Sequence, residues 1–237
     1  MQAPPITRFY PCACAGWQGL RLALRLRLPR GTALLATMLV VATLSACGTP
    51  PQRLAVYDFG PGATAAPQAS NRMAPLPPLL LAEVEAASAL DGSAVLYRLL
   101  YADAQQLRPY AQARWSMPPA QLLRQRLREL LGQRRSVLAP ADAVAPGTLS
   151  LRLELEEFSQ LFSSSHSSSA LLRVRATVSR SGSPPKPLGQ TSLVVQVPAS
   201  SADAQGGVQA LAQGSDALAA QIDAWLQQVA SSESTAP

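Results

Sequence analysis

LSLRLELEEF (149–158) and LLRVRATVSR (171–180) decide the fold class. In the first, Leu149, Leu151, Leu153 and Leu155 alternate with Ser150, Arg152, Glu154 and Glu156. Successive side chains of a strand point to opposite faces, so one face is leucine and the other polar. In the second, Leu172, Val174, Ala176 and Val178 take the apolar face, with Arg173 and Arg175 opposite. Leu193, Val195 and Val197 repeat the pattern after a turn at SGSPPKP, 181–187. Half-wet alternation belongs to antiparallel sheets, whereas strands of a doubly wound parallel sheet are apolar on both faces. Acids of one strand can oppose arginines of the next, worth about 0.2–1 kcal/mol a pair. Phe158 breaks the alternation, which predicts a bulge or strand end near Glu157.

The remaining elements surround these strands. LAVYDFG (54–60) has the β-branched and aromatic content of a strand, and the Pro-, Ala-, Gly- and Ser-rich stretch 61–78 reads as a loop. LLLAEVEAA (79–87) is short and bounded by breakers, which favours a strand over a helix. VLYRLLY (95–101) forms a strand with Val95, Tyr97, Leu99 and Tyr101 on one face. YAQARW (110–115) is its hairpin partner across a turn at 105–109. Pro118 and Pro119 end that strand and open a helix over 119–134, because the missing N–H costs nothing at the first helical position. Leu123, Leu127, Leu130 and Leu131 form the helix stripe, with Leu122 at its edge. Arg124, Arg126, Arg128, Arg134 and Arg135 lie off it, without the aromatic or amide partners of a groove-binding helix. They read as a solvated face over the core edge. A second helix over 208–230 places Leu211, Leu218, Ile222, Trp225 and Val229 on one stripe, weakened by Gly214. The expected fold is α+β: a mostly antiparallel sheet with one central and one C-terminal amphipathic helix packed on it.

The N-terminus is built differently. Arg8, Arg21, Arg25, Arg27 and Arg30 are its only charges, since no Asp or Glu precedes Asp58. TALLATMLVVATLSA, 32–46, then runs fifteen residues uncharged. That is short for a permanent span, which needs about 20 apolar residues to cross about 30 Å of hydrocarbon. Basic residues, an apolar core of roughly 7–15 and small residues before a cut make a secretory signal peptide, here 1–46. Its basic part is long and leaves room for a translation start downstream of Met1. Removing it takes Cys12 and Cys14 away and leaves 191 residues with Cys47 as their one cysteine. No internal disulfide is then possible. The net charge of +6 also shrinks, because five of the 20 Lys and Arg precede residue 47 and all 14 Asp and Glu follow it, leaving about +1. Nucleic acid binding loses its electrostatic basis.

Leu44-Ser45-Ala46-Cys47 resembles the bacterial lipobox. Small residues admit the peptidase to the bond before Cys47, and the thiolate takes a diacylglycerol through a thioether. Acylation of the new N-terminus adds a further chain. At about 0.8 kcal/mol per buried methylene, two or three chains give stable anchoring where one does not. Gly48 occupies the position where an aspartate retains enteric lipoproteins at the inner membrane, which by resemblance implies the periplasmic face of the outer membrane. The chain then divides into the signal peptide 1–46, a lipidated tether 47–53, a domain 54–230 and a disordered tail 231–237.

Catalytic signals are absent. His166 is the one histidine and sits in SSSHSSS (163–169), whereas a Ser–His–Asp triad needs a rigidly held base backed by a buried carboxylate. One histidine and no spaced carboxylate loop supply no metal site. Glu154, Glu156 and Glu157 could pose as an acid/base pair, but Glu154 and Glu156 share the wet face with Arg152 and read as surface ion pairs. There is no GxxxxGK[ST], and Gly206-Gly207 reads as a loop before the last helix, too little for a phosphate cradle. The chain is expected not to be an enzyme and to need no cofactor beyond the lipids on Cys47.

The order of pieces resembles the ABC-type transport auxiliary lipoprotein family. The match runs from the lipobox through Tyr57 and Phe59, Leu90-Asp91-Gly92, VLYRLLY and YAQARWSMPP (110–119) to both helices. Its most specific residues are Tyr97-Arg98 and Tyr110, Arg114 and Trp115 ahead of Pro118-Pro119. The resemblance implies an accessory lipoprotein of Mce- or Pqi-type lipid transport, docking on a periplasmic Mce-domain protein whose permease and ATPase are separate chains. Homo-oligomeric rings occur in the family. Tyr110, Arg114 and Trp115 are candidate partner contacts, with Trp115 fitting the core equally well. A similar anchor and domain would also serve another envelope machine, in lipopolysaccharide insertion or secretion.

Overall fold

The computed structural model describes residues 53–61 and 76–234. The signal peptide, Cys47 and nearly all of the tether lie outside the described residues. So do 62–75 of the expected loop and the last three residues of the expected tail.

Strand β6 (Leu149–Ser164) is the spine of the sheet. On one edge it pairs antiparallel with β7 (Ser167–Arg180), which pairs antiparallel with β8 (Lys186–Pro198). The other edge is shared. Its first half takes β2 (Leu79–Ala86) in parallel, and β2 carries the short β5 (Val137–Leu138). A 3-10 turn at Ser88–Leu90 then leads to β3 (Ala94–Leu99), which pairs in parallel with the second half of β6 at Gln160–Phe162. Antiparallel β4 (Asp103–Trp115) and parallel β1 (Ala55–Tyr57) complete that side. Among the described residues these eight strands form one mixed sheet, in which the long pairings are antiparallel. The two partners on one edge are possible because β6 bulges between Leu155 and Glu157, where Phe158 breaks parity.

Helix α1 (Pro119–Leu131) and helix α2 (Ala204–Ser234) cover the leucine face. Leu151, Leu153, Leu172, Val174, Ala176 and Val178 are fully buried beneath them, as are Leu123, Leu127, Leu211, Leu218 and Ile222. Each buried leucine, isoleucine or valine among them contributes about 1.5–3 kcal/mol. Gly214 matters by its smallness. A Cβ there would sit 2.5 Å from Leu172 Cδ1, so the glycine lets α2 lie directly on β7.

Three local expectations change. The β3–β4 turn falls at Leu100–Ala102, closed by the Ala102 N–H donating to Leu99 O at 3.0 Å, while 105–109 belong to β4. Proline is tolerated at position 109 because β1 covers β4 only over Ala113–Trp115 and β4 is bulged against β3 on both sides of Leu96–Tyr97. These bulges also break the alternation read into VLYRLLY: Val95 and Leu96 are both buried, and Tyr101 is exposed in the turn. Second, α2 starts at Ala204, so Gly206 and Gly207 are helical. Third, it continues through Ser234, beyond the expected end at Ala230, with Glu233 paired to Arg180 and Lys186 from β7 and β8.

Candidate docking surface

The motif residues converge where β3, β4 and β6 meet the start of α2. Tyr97 and Tyr110 lie with ring centroids 4.6 Å apart, and Phe162 closes on Tyr97 at 5.8 Å. The Tyr110 hydroxyl donates to Gln160 Oε1 at 2.8 Å, and Gln160 Nε2 donates to Ser168 Oγ at 2.8 Å. Gln160 and Ser168 are buried, so this chain satisfies polar groups that would otherwise be costly inside the sheet. Burial first, then Tyr97 and Asp203, pushes the Tyr110 phenol well above its ordinary pKa. Tyr110 is therefore a neutral hydrogen-bond donor.

Gln160 has room only because Gly207 lacks a side chain; a Cβ on Gly207 would overlap its carboxamide. Asp203 sits just ahead of α2, its Oδ1 accepting the Gly206 N–H at 2.8 Å. That bond, followed by the one from Ser201, holds the Asp203 carboxyl below its ordinary range. The sequence reading missed this joint, although Gly-Gly after an acid was a visible sign of close helix approach.

Arg98 acts as a clamp. Its guanidinium donates to Glu157 at 3.0 and 3.4 Å and to the carbonyls of Ala104 and Gln105 at 3.3 and 3.1 Å. It thus pins the bulged part of β4 to the bulge of β6, and Ser159 Oγ steadies Glu157 at 2.6 Å.

The three candidate contacts separate. Trp115 is 2% exposed, packed between Phe59 at 5.7 Å and Phe158 at 5.6 Å. It ends β4 beneath the β1 pairing, where its side chain can only point into the core; it is no contact residue. Arg114 is half-buried and donates to the carbonyls of Ala113, at 2.8 Å, and Tyr110. Tyr110 is also half-buried, and with Tyr57, Gln112 and Ala204 it lines a shallow groove between β1, β4 and the start of α2. Tyr110 and Arg114 are brought together; Trp115 is turned away.

Four of the five arginines on and just after α1 pair with carboxylates of the fold, and exposed Arg128 is the exception. Arg126 reaches Asp216 on α2 at 2.5 and 2.9 Å, which with Glu129 raises its pKa. Arg124 pairs with Glu83 at 2.9 Å, and Arg134 and Arg135 share Asp223. On the open face Arg175 pairs with Glu156 at 2.7 Å, while Arg152 turns to Glu85 on β2. His166 is exposed at the β6–β7 turn, where only its backbone N–H is engaged, by Ser164 Oγ at 3.2 Å. Among the described residues no three His, Cys, Asp or Glu gather as metal ligands.

Residues 57–223 match the family described as ABC-type transport auxiliary lipoprotein component. The chain belongs to this family. It is an accessory transport family and not an enzyme family, and its lipoprotein character associates it with the cell envelope. No curated protein matches the sequence. The fold is similar to the crystal structure of protein XCC0632 from Xanthomonas campestris, assigned to DUF330. That likeness has a TM-score of 0.62 and 19% identity over 77% of this chain and all of that one. A second crystal structure, of an uncharacterized protein, gives 0.54 and 14% identity over 73% of this chain and 99% of that one. Among the described residues no helix is long and apolar enough to cross a membrane.

Proposed function

We propose that the protein is a lipid-anchored periplasmic accessory component of an Mce/Pqi-like ABC system that moves lipids or hydrophobic compounds between membranes. Its role is to dock, not to catalyse. Signal peptidase recognition falls on Leu44, Ser45 and Ala46, and Cys47 carries the diacylglycerol and N-acyl chains at the periplasmic face of the outer membrane. The α+β domain engages an Mce-domain protein and, through it, the permease and ATPase. The observation that carries this reading is a lipobox cysteine placed ten residues ahead of a matched auxiliary-lipoprotein domain. The groove lined by Tyr110 is the proposed contact, because Tyr110 and the neighbouring Arg114 are the candidate contact residues that keep exposed surface.

The test is affinity capture of the natively lipidated protein from membranes in mild detergent. An Mce-domain protein should be recovered, and mass spectrometry should find the lipid mass on Cys47. An unmodified Cys47 thiol, or capture of a lipopolysaccharide-insertion or secretion component in place of the Mce-domain protein, would refute the assignment.

A further inference from the structure

Among the described residues, four of the five exposed large hydrophobic side chains fall in two places: Leu54 and Val56 at the start of β1, and Leu100 and Tyr101 in the β3–β4 turn. The strand directions relate these elements. β3 and β6 run in parallel, so the β3–β4 turn and the β6–β7 turn lie at one end of the sheet, joined by the Leu100 N–H donating to Phe162 O at 2.9 Å. β1 runs parallel to β4, which leads away from that end, so Arg53 and Leu54 point back toward it. β8 finishes there too, followed by 199–203. Arg53, the first described residue, therefore lies on the side of β1 that faces the end carrying the exposed Leu100 and Tyr101.

That end is poor in charge. The β6–β7 turn is serine with one histidine, and in 199–203 the sole charge, Asp203, is committed to Gly206 and Ser201. Asp103 adds one more acid, bonded to the Gln105 N–H. The opposite end carries Arg180, Lys186 and Glu233 in an ion-pair cluster. A hydroxyl-rich surface with few charges, Asp103, Asp203, Arg98 and Arg108 each held by hydrogen bonds, and with a projecting leucine and tyrosine suits the headgroup boundary of a bilayer, where amphipathic rings settle and apolar side chains enter by about 5–10 Å.

The reach is sufficient. Ala55 is level with Ala113, next to Arg114, which opposes Ala94 at the start of β3. From Ala94 to Leu99 is roughly 16 Å at about 3.3 Å per residue, and Arg53 already covers part of that height. Six residues from Cys47 to Arg53 extend at most roughly 20 Å, enough for this end to meet the bilayer that anchors Cys47.

We infer that the Leu100–Tyr101 turn is a membrane-facing contact that inserts shallowly into the lipid surface in which Cys47 is anchored. This rests on the lipid anchor of the proposed function and adds an orientation to it. The occupant is the phospholipid interface, not a protein groove.

The experiment labels two exposed turn positions in the natively lipidated protein, Ala102→Cys at this end and Gly182→Cys at the other. Cys47 is blocked by its thioether, so each protein takes one environment-sensitive fluorophore. The proteins are reconstituted into phosphatidylethanolamine/phosphatidylglycerol vesicles with and without lipids brominated near the headgroup. The label at 102 should shift to shorter wavelength and lose most of its emission to the bromolipid, while the label at 182 stays unchanged. Adding Leu100→Ser and Tyr101→Ser should abolish the quenching at 102. A protein that floats with the vesicles but is unquenched at 102, or quenched at 182 instead, overturns the orientation and leaves the anchor standing. A protein that does not float overturns both.

Discussion

Gly207→Ala places a methyl group where the Gln160 carboxamide already lies. In an ordinary helix interior the change would stabilise by about 0.8–1.0 kcal/mol, because alanine is the better helix former. Here the methyl has no space. Gln160 is fully buried and held at both ends by 2.8 Å hydrogen bonds, to the Tyr110 hydroxyl and Ser168 Oγ. Displacing it leaves polar groups unpaired at about 1–3 kcal/mol for each buried one, with half-buried Tyr110 toward the low end. Lifting α2 instead costs about 1–3 kcal/mol of overpacking. The cheaper route sets the cost and still offsets the propensity gain, for a net loss of about 1–2 kcal/mol. Urea unfolding of the mature protein, followed by circular dichroism, measures it. The decisive comparison is a double-mutant cycle with Gln160→Ala. In that background the methyl meets an emptied site, so Gly207→Ala should be neutral or stabilise by up to about 1 kcal/mol. Equal cost in both backgrounds, or a stabilised single mutant, refutes the account of the joint.

Three further outcomes follow from the same geometry. Asp223→Ala strips Arg134 and Arg135 of their shared partner; Arg135 has a 3% exposed side chain, so the loss should be about 3–5 kcal/mol in the same unfolding assay. Trp115→Ala should cost about 3–5 kcal/mol as a core truncation and remove the blue-shifted component of the tryptophan emission, whereas a surface tryptophan would show neither effect. Asp203 contributes with a definite sign. Its folded-state pKa is lowered, so its stabilisation is full above the ordinary 3.8 and fades as the pH falls through the lower folded value. Asp203→Asn should therefore flatten the stability profile below about pH 4, read from thermal midpoints across an acid series.

The half of the sheet built from β6, β7 and β8 is legible because its side chains alternate over long runs, 149–155 and 172–178, and one face is wet. Leu172, Val174, Ala176 and Val178 are buried as that pattern requires. The other half was harder to read. β4 carries two bulges against β3, and a bulge shifts parity without leaving a residue-type signature; Pro109 therefore reads as a turn residue, whereas the turn lies at Leu100–Ala102. The parallel pairings of β1, β2 and β3 were also hidden. Each is only a few residues long, and each joins segments far apart in the chain, so neither turn chemistry nor periodicity marks it. Gly206, Gly207 and Gly214 misled in a consistent way. Propensity counts glycine against a helix, while tertiary packing uses its missing Cβ to bring α2 against Gln160 and Leu172.

The candidate site shows the same division between what is local and what is not. Tyr97, Arg98, Tyr110 and Trp115 stood out along the chain as recurrent pieces of a family pattern. In the fold they serve one purpose between them. Tyr97 and Tyr110 stack over the β3–β6 pairing, Arg98 ties the two bulges together, and Trp115 fills the core beneath β1. Their partners Gln160, Glu157 and Phe158 come from β6, some fifty residues later, in a strand where the simple alternation has just ended. Such residues hold the shape of the joint, and only Tyr110 and Arg114 among those proposed as contacts keep an edge toward solvent. If docking uses this groove, replacing Trp115 by phenylalanine should leave capture of the Mce-domain partner intact once the protein is folded, and Arg114→Glu should abolish it in protein that circular dichroism shows to be folded. Loss of capture with the first substitution and not the second would place recognition on a different face of the domain.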